Sequence, residues 1–401
     1  MKFAILDACF PITNQHAVGM AATYLKWKFS KAKIAPVACD QADIILITIV
    51  DPRQENYIAR VRQKYKTARI YVGGAGALSP YTPGMHCDAI CVGNGDRFID
   101  TLIKDGPDRA EALPEAWIHK GIKKVDVADG FPWECPPIQG EDGAFRVWCG
   151  KGCKKKCYFC QTGWAIKYEE NPDPYKMILQ IADLKKAGKK VAYLSNDPLQ
   201  HSFYFRLPKV DHGSYSLEYM KKHGLPSARQ IRIGIEGVSE RLRKSVNKPL
   251  SNEDLMNSAV WLNRNHKSVR WFLIAGLPSE NDSDWEELRS SVSGWKKLSD
   301  KGVIALSFTA WQPEPASPLA IMPLDDSYWE RFEAFSEWFF AGRGWSNRIK
   351  IMKPAQPQSR LKASMARMGL SKNELKKGGN WGPNARVNYP YRDAAVRISQ
   401  R

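Results

Sequence analysis

The sequence predicts two α/β units in series followed by a basic extension. Three observations carry this prediction: strands alternate with helices over residues 1–110, they alternate again over 145–320, and a proline-bearing stretch of little periodicity lies between, at 111–144. Single strands alternating with single helices build parallel sheets, because each parallel strand needs a crossover before the next. In the first unit that pattern indicates a doubly wound parallel sheet. The chain has 401 residues, too many for one small domain, and its 43% hydrophobic and 25% charged residues suit packed cores rather than disorder.

In the first unit residues 3–6 form a short buried strand, and 17–29 carry apolar residues at helical spacing. Residues 43–50 are a β-branched apolar run, and 52–66 are polar and helical. Residues 69–72 form another strand, ending in Gly73-Gly74. A further strand at 89–92 precedes a short helix at 98–104. The run Gly73-Gly74-Ala75-Gly76 reads as a tight turn, since no complete G-x-G-x-x-G phosphate cradle is present. The second unit carries strands at 145–148, 190–194, 231–235, 269–274 and 303–308, with helices at 252–265 and 284–297. Pro114, Pro132, Pro136 and Pro137 mark the stretch between the units as a linker.

The formal net charge is +18, from 60 Lys and Arg against 42 Asp and Glu. It is concentrated: residues 340–401 hold fourteen Lys and Arg against two Asp and Glu. Such an excess favours a polyanionic partner, and Trp345, Trp381, Tyr389 and Tyr391 among these cations suit base stacking with phosphate binding. Nucleic acid is therefore the expected partner of this extension. Residues 327–340 before it form an aromatic-rich helix better explained by core packing. The longest apolar run, 44–50, is a strand's length, far short of the roughly 18–20 residues of a membrane span. Asp7 arrives too early for a secretory signal, so a cytoplasmic location is expected.

Four of the nine cysteines fall within twelve residues: Cys149, Cys153, Cys157 and Cys160. A disulfide framework would spread them out, so the clustering points to metal or redox chemistry. Cys153, Cys157 and Cys160 form C-x3-C-x2-C. Three thiolates on one tight loop can hold three irons of a [4Fe–4S] cube, leaving the fourth iron open. Zinc would need a further ligand pair, and no C-x2-C or H-x3-H partner occurs elsewhere. Lys151, Lys154, Lys155 and Lys156 lie among the cysteines, where cations favour thiolate over thiol. Cys149 stands outside the pattern and reads as a structural thiol.

These residues resemble the radical S-adenosylmethionine (radical SAM) superfamily. The cysteine loop follows the short strand Phe145-Arg-Val-Trp148, and Phe159 matches the family's aromatic position before the last cysteine. The stretch Ile233-Gly-Ile-Glu-Gly-Val-Ser-Glu-Arg-Leu-Arg-Lys-Ser-Val-Asn-Lys248 and the stretch Trp271-Phe-Leu-Ile-Ala-Gly-Leu-Pro278 are similar to motifs of the branch that carries a cobalamin-binding-like domain. Phe308-Thr-Ala-Trp-Gln-Pro-Glu-Pro-Ala-Ser-Pro318 resembles the last strand and following loop of that barrel. Within 1–110, Ile70-Tyr-Val-Gly-Gly-Ala and Asp88-Ala-Ile-Cys-Val-Gly-Asn-Gly resemble segments of the branch's front domain. The resemblance implies a cobalamin-binding-like sheet at 1–110, a partial (β/α)6 TIM-type barrel at 145–320, and an extension at 321–401 that matches nothing. Between Leu199 and Arg229 the chain is shorter than the family's helix, strand and helix, so residues 201–207 are predicted as a third strand whose helix is lost.

The resemblance also implies cofactors and contacts. A [4Fe–4S] cluster on Cys153, Cys157 and Cys160, reduced by an external electron donor, would cleave S-adenosylmethionine to a 5′-deoxyadenosyl radical. Asn196 and Asp197, ending a strand, would meet the methionine amine, or merely turn the chain. Glu236 ends a barrel strand and would bind the ribose or the methionine part. Arg241 would pair with the carboxylate, or be a surface helix charge. Gly276 and Pro278 would bring backbone close to the adenine, or only turn the chain. Cobalamin is a further cofactor of the branch. Here Asn14 stands where proteins with a cobalt-ligating histidine have Asp, so His16 lacks the carboxylate that would brace it. The expected reaction is modification or rearrangement of a nucleic-acid base, for instance isomerisation of an amino-acid-substituted thymidine in viral DNA. The alternative is cobalamin-assisted methylation of a peptide or small molecule.

Overall fold

The computed structural model describes residues 1–8, 15–49, 51–119, 124–129, 133–139, 143–197, 200–207, 214–224, 230–265, 268–296, 303–342, 349–379 and 387–388. Trp345, Trp381, Tyr389, Tyr391, Asn14 and the side chain of His16 fall outside the described residues.

The first sheet contains β1 (Phe3–Asp7), β2 (Ile44–Thr48), β3 (Arg69–Gly73), β4 (Ala89–Cys91) and β5 (Ala116–Trp117), in that spatial order. The first four are parallel, and β5 closes the edge antiparallel to β4. Every residue of β2, Ile-Ile-Leu-Ile-Thr, is buried, as a central parallel strand covered on both faces requires. Helices cover both faces. Leu25 and Phe29 from helix Gln15–Lys31, with Phe98 and Leu102 from helix Asp96–Asp105, pack on Phe3, Ile44, Leu46 and Tyr71. Ile58 and Val61 from helix Glu55–Lys64 pack on Ile45, Ile47, Ile70 and Val72 on the opposite face. The strands lie in sequence order, without the reversal of a dinucleotide-binding sheet.

Short strands β6 (Val125–Asp126) and β7 (Ile138–Gln139) lead into β8 (Phe145–Trp148). Then come β9 (Gly150–Lys151), β10 (Glu169–Glu170), β11 (Val191–Leu194), β12 (Ser214–Tyr215), β13 (Gln230–Glu236), β14 (Ser268–Ala275) and β15 (Ile304–Ala310). β11 pairs in parallel with β8, and β12 to β15 run parallel in sequence order. These are the six strands of the expected partial barrel, in two hydrogen-bonded pieces. The Asp197 carboxylate, just past β11, accepts from the Ser216 N–H just past β12 at 3.2 Å and ties the pieces together. The core beneath is aromatic: Trp271 meets Trp295 edge-on at 4.4 Å, and Trp285 stacks on Phe308 at 5.7 Å.

The prediction for residues 201–207 is overturned. They form no strand: Tyr204–Arg206 is a 3-10 helix, and the third strand is Ser214–Tyr215, followed by helix Leu217–His223. The apolar residues there recur every three or four positions. Phe203 and Leu207 turn into a small core with Met177 and Ile181, while Tyr204, Arg206 and Leu207 each bond back three residues. The third unit of the barrel is therefore short but keeps its helix.

Residues beyond 320 are integrated with the barrel. Helix Tyr328–Ala341 buries Phe332, Phe335 and Phe339 against Trp285 and Phe308, as the core-packing reading expected. Strand β16 (Ile349–Met352) adds in parallel to β15, and β17 (Val387–Asn388) pairs with β6 in the linker. From helix Pro357–Met368, the fully buried Arg360 donates to the carbonyls of Trp311 (2.6 Å), Asp325 (2.5 Å) and Gly276 (3.2 Å) and lies 4.6 Å from the Tyr328 ring. One guanidinium thereby clips the ends of β14 and β15. Among the described residues no helix is long and apolar enough to cross a membrane.

Replacing Arg360 by Leu leaves these buried carbonyls unpaired. Arg360→Leu is expected to lose about 3–5 kcal/mol of stability, read as a lower denaturant midpoint.

Candidate active site

The cysteine loop leaves β8 and returns through β10, which pairs antiparallel with β9. It has little regular structure and is held by contacts from five directions. Tyr158 N donates to the Val246 carbonyl at 3.0 Å, and Asn247 Nδ2 donates to the Lys156 carbonyl at 2.8 Å. Asn196 Nδ2 donates to the Gly152 carbonyl at 2.6 Å, and Lys154 N to Gln200 Oε1 at 3.0 Å. Leu319 N donates to the Tyr158 carbonyl at 3.0 Å, and Gln161 N to Glu314 Oε2 at 2.8 Å. Gly152 has φ +66°, and a Cβ there would stand 2.7 Å from the Lys167 carbonyl oxygen, so the turn requires glycine.

Cys157 is buried, and Cys153 and Cys160 are partly so. Burial pushes the Cys157 thiol up to about 11 and Cys160 to about 12. Cys153 is raised by burial as well, against the pull of the Lys155 backbone and the Lys155 and Lys248 ammonium groups. Among the described residues no three His, Cys, Asp or Glu side chains stand at the spacing of a single metal ion. A three-thiol donor set on one loop fits the corners of a multi-iron cube better than a lone ion. Cys149 is fully buried beside Met177, Ile181 and Tyr193, with Sγ 3.7 Å from the Val147 carbonyl oxygen, so it belongs to the core.

Most of the lysine knot is matched by carboxylates rather than by thiols. Lys151 pairs with Asp129 at 2.7 Å, Lys154 with Glu170 at 3.3 Å and Lys155 with Glu218 at 2.6 Å. The cation nearest in effect to Cys157 is Lys248, which the sequence reading quoted without assigning it a role. Its position is prepared by the fully buried Arg243, which donates to the Leu250 carbonyl at 2.6 Å and the Gly237 carbonyl at 3.2 Å and so shapes the turn. Burial works against the Lys248 charge, but Glu236, Cys157, Glu218 and Asp197 together raise it. The signal in the sequence was the Asn247-Lys248 pair closing its motif.

Glu236 ends β13 with φ +68°, a left-handed conformation costly for a residue with a side chain. Its Oε1 lies 3.7 Å from Lys248 Nζ, and burial raises its carboxyl despite that ammonium. The structure thus gathers Cys153, Cys157, Asp197, Glu236 and Lys248 in one buried electrostatic cluster. Asn196 is exposed beside it, and Phe159 is half-buried against the barrel core. Arg241 stands apart, half-exposed, paired with Asp284 at 2.5 Å and donating to the Ser279 carbonyl at 2.8 Å. Gly276, at φ +75°, and Pro278 form the turn after β14, where Glu280 accepts from Gly276 N at 2.8 Å.

A cavity of about 580 Å³ separates this loop from the first sheet. Its walls are the carboxyl ends of β2, β3, β8 and β11, with Thr48, Gly73, Trp148, Ser195 and Asn196 among them. Ligands of parallel α/β folds bind at such strand ends. The lining is mainly apolar, and a Cβ on Gly73 would meet nothing within 4 Å, so bare backbone faces open space there. Gly74 forms the expected tight turn, close against the Ile49 carbonyl.

No family model matches the chain. Over 231 residues it is 26% identical to an uncharacterised protein of Methanocaldococcus jannaschii, a match covering 51% of this chain and about half (48%) of that relative's length. In structure it is similar to TsrM of Kitasatospora setae, a radical S-adenosylmethionine methyltransferase solved with cobalamin and a [4Fe–4S] cluster. That match has a TM-score of 0.57 and 12% identity, and covers 80% of this chain and 74% of TsrM. It is also similar to OxsB, a cobalamin-dependent S-adenosylmethionine radical enzyme solved with aqua-cobalamin and S-adenosylmethionine, with a TM-score of 0.52 and 14% identity, over 100% of this chain and 60% of OxsB.

The Glu236 carboxylate folds back over Gly234, where a Cβ would stand 2.1 Å from Oε1. Gly234→Ala is therefore expected to displace Glu236 from Lys248 and to lower stability by about 1–3 kcal/mol in chemical denaturation.

Proposed function

We propose that this chain, which has the fold of the cobalamin-dependent radical SAM enzymes, is itself a radical SAM enzyme. The observation that carries this reading is the C-x3-C-x2-C loop seated at the carboxyl ends of the barrel strands, with the Lys248 charge favouring the Cys157 thiolate. Cys153, Cys157 and Cys160 would hold the [4Fe–4S] cluster. When bound, that group supplies the electron for reductive cleavage of S-adenosylmethionine, and an external electron donor replenishes it.

The chain's own residues do the rest. Lys248 and Lys155 offset the charge of thiolates and carboxylates at the loop. Asn196 holds the cysteine loop and lines the cavity, and Asp197 ties the end of β11 to the third strand. Glu236 and Asp197 offer carboxylates to a cationic, hydrogen-bond-donating group such as the methionine amine. The apolar cavity, with Gly73 bare at a strand end, fits a macrocycle laid against the strand ends, so cobalamin would sit between the first sheet and the cysteine loop. This supports cobalamin-assisted group transfer as the leading reading of the reaction.

A second reading, modification or rearrangement of a nucleic-acid base, is favoured by charge. Lys350, Lys353, Lys362, Lys372, Lys376 and Lys377 are all exposed, whereas Glu374 is the one acid among residues 350–377. Arg360 and Arg367 of the same segment are turned inward and leave the lysines to face solvent.

Anaerobically reconstituted protein is expected to bind iron, to make 5′-deoxyadenosine from S-adenosylmethionine, and to keep cobalamin through desalting. Cys157→Ala should lose iron and 5′-deoxyadenosine together, while Cys149→Ala should retain both. Absence of 5′-deoxyadenosine from the iron-loaded wild type rejects the enzyme reading, and loss of cobalamin on desalting rejects the group-transfer reading. For the nucleic-acid reading, affinity for single-stranded DNA should fall steeply with salt, and replacing the exposed Lys350, Lys353, Lys362, Lys372, Lys376 and Lys377 by Gln should flatten that slope. A salt-insensitive affinity would reject it.

A further inference from the structure

His201 is a buried titratable group, 4% exposed, that none of the chemistry above uses. Its ring lies between those of Tyr168 (5.9 Å, 17°) and Phe203 (5.3 Å, 3°). It sits so close to the start of the cysteine loop that a Cβ on Gly150 would stand 2.3 Å from its Cε1. Both ring nitrogens face hydroxyls: Nε2 is 2.7 Å from Ser195 Oγ, and Nδ1 is 2.8 Å from Tyr168 Oη. The Tyr168 hydroxyl lies 2.9 Å from Glu170 Oε1 and 3.4 Å from the Gln200 carbonyl oxygen. Ser195, at the other end, lines the cavity.

The direction of this chain of hydrogen bonds follows from its members. A carboxylate and a carbonyl only accept, so the single Tyr168 proton points toward Glu170 or Gln200. Tyr168 Oη must then accept from His201 Nδ1–H. A neutral imidazole with its proton on Nδ1 has a lone pair on Nε2, which accepts from the Ser195 hydroxyl. The Ser195 oxygen is thereby left with its lone pairs toward the cavity. Burial works against the Glu170 charge, but the Ser202 and Tyr168 hydroxyls and Lys154 hold its carboxyl at about 2, so that end stays anionic. The charged and titratable groups around the ring are Tyr168 and Glu170 from the β10 side and Lys154 from the cysteine loop, 4.7 Å from the Tyr168 ring centre. From the end of β11 the ring meets the neutral Ser195, and from its own turn the apolar Phe203.

We propose that Ser195 and His201 form an acid–base pair that removes a proton from a substrate N–H or O–H in the inter-domain cavity, with Tyr168 and Glu170 as positioning residues that fix the imidazole tautomer. The substrate X–H bond breaks, and its electron pair stays on X. Ser195 Oγ takes that proton as its own passes to Nε2, and the resulting imidazolium donates toward Tyr168, whose proton faces the Glu170 charge. A substrate that accepts a transferred group at nitrogen or oxygen must release such a proton, so the pair suits group transfer to a nucleophile. This rests on the proposed reading in one respect, that group transfer takes place at this cavity, with the substrate nucleophile reaching Ser195 beside the group seated at the strand ends.

The test begins with the full chain labelled with ¹⁵N-histidine. Long-range ¹H–¹⁵N correlations should show His201 as the neutral Nδ1–H tautomer, and Tyr168→Phe should convert it to Nε2–H. An Nε2–H tautomer in the wild type overturns the proposal. In the reconstituted enzyme with substrate, the rate should fall on the acid side as His201 becomes protonated. His201→Gln should lose that limb together with about a hundredfold in rate, and Tyr168→Phe should move it. An acid limb that persists in His201→Gln also overturns the proposal. Failure to make 5′-deoxyadenosine would reject the radical SAM reading instead, and the tautomer measurement would still decide for or against the relay.

Discussion

The backbone N–H of Gln161, one residue past the last clustered cysteine, donates to Glu314, and Glu314 also pairs with Arg367 at 2.9 Å. Arg367 extends to Asp51, which caps the 3-10 turn Pro52–Gln54 after β2 of the first sheet, at 3.5 Å. Burial opposes the Asp51 charge, but Arg53 and Arg367 beside it hold the carboxyl below the usual carboxylate range. Three carriers of the site, the cysteine loop, the barrel and the first sheet, are therefore joined through one guanidinium. The same helix braces the barrel with Arg360, and its Ala366 carbonyl accepts from Thr82 Oγ1 at 2.8 Å. This one helix thus touches the first unit at Thr82 and Asp51 and the barrel at Glu314.

Charge at the cysteine loop is arranged in two layers. Lys154 and Lys155 find carboxylates on neighbouring elements, which fixes loop geometry, and Lys155 also favours the thiolates of Cys153 and Cys157. Lys248 lies deeper, with Glu236, Glu218, Asp197 and Cys157 around it. The acids around Lys248 keep it charged, while burial raises the Glu236 carboxyl against the pull of that ammonium. The left-handed φ of Glu236 is the conformational cost of aiming that carboxylate back at the mouth.

The alternation of strands and helices was legible because parallel strands covered on both faces must be short apolar runs, and β2 is one. The three cysteines were legible because their spacing is local. What escaped depends on contacts distant in sequence. Residues 201–207 look strand-like until Phe203 and Leu207 are seen turning into the same small core. Lys248 gains its role only when Val246 and Asn247 dock on the cysteine loop, and Arg360 and Arg367 read as tail charge until their carbonyl and carboxylate partners are known. The relay through His201 joins residues 168, 170, 195 and 201, and no local spacing announces it.

The contact between Arg367 and Asp51 spans 316 residues. During synthesis the first sheet can be complete long before its partner for this contact exists, and β16, which flanks β15, is made only shortly earlier. Until helix Pro357–Met368 has emerged, the wall carrying the cysteines and the wall carrying Gly73 lack the Arg367 link and meet through apolar contacts such as Ala165 and Ile166 on the first-sheet core. The order of translation therefore adds the Arg367 link last, to walls already in apolar contact. A ribosome that stops before residue 357 would release a protein with all three clustered thiols but without the brace that joins them to the front sheet.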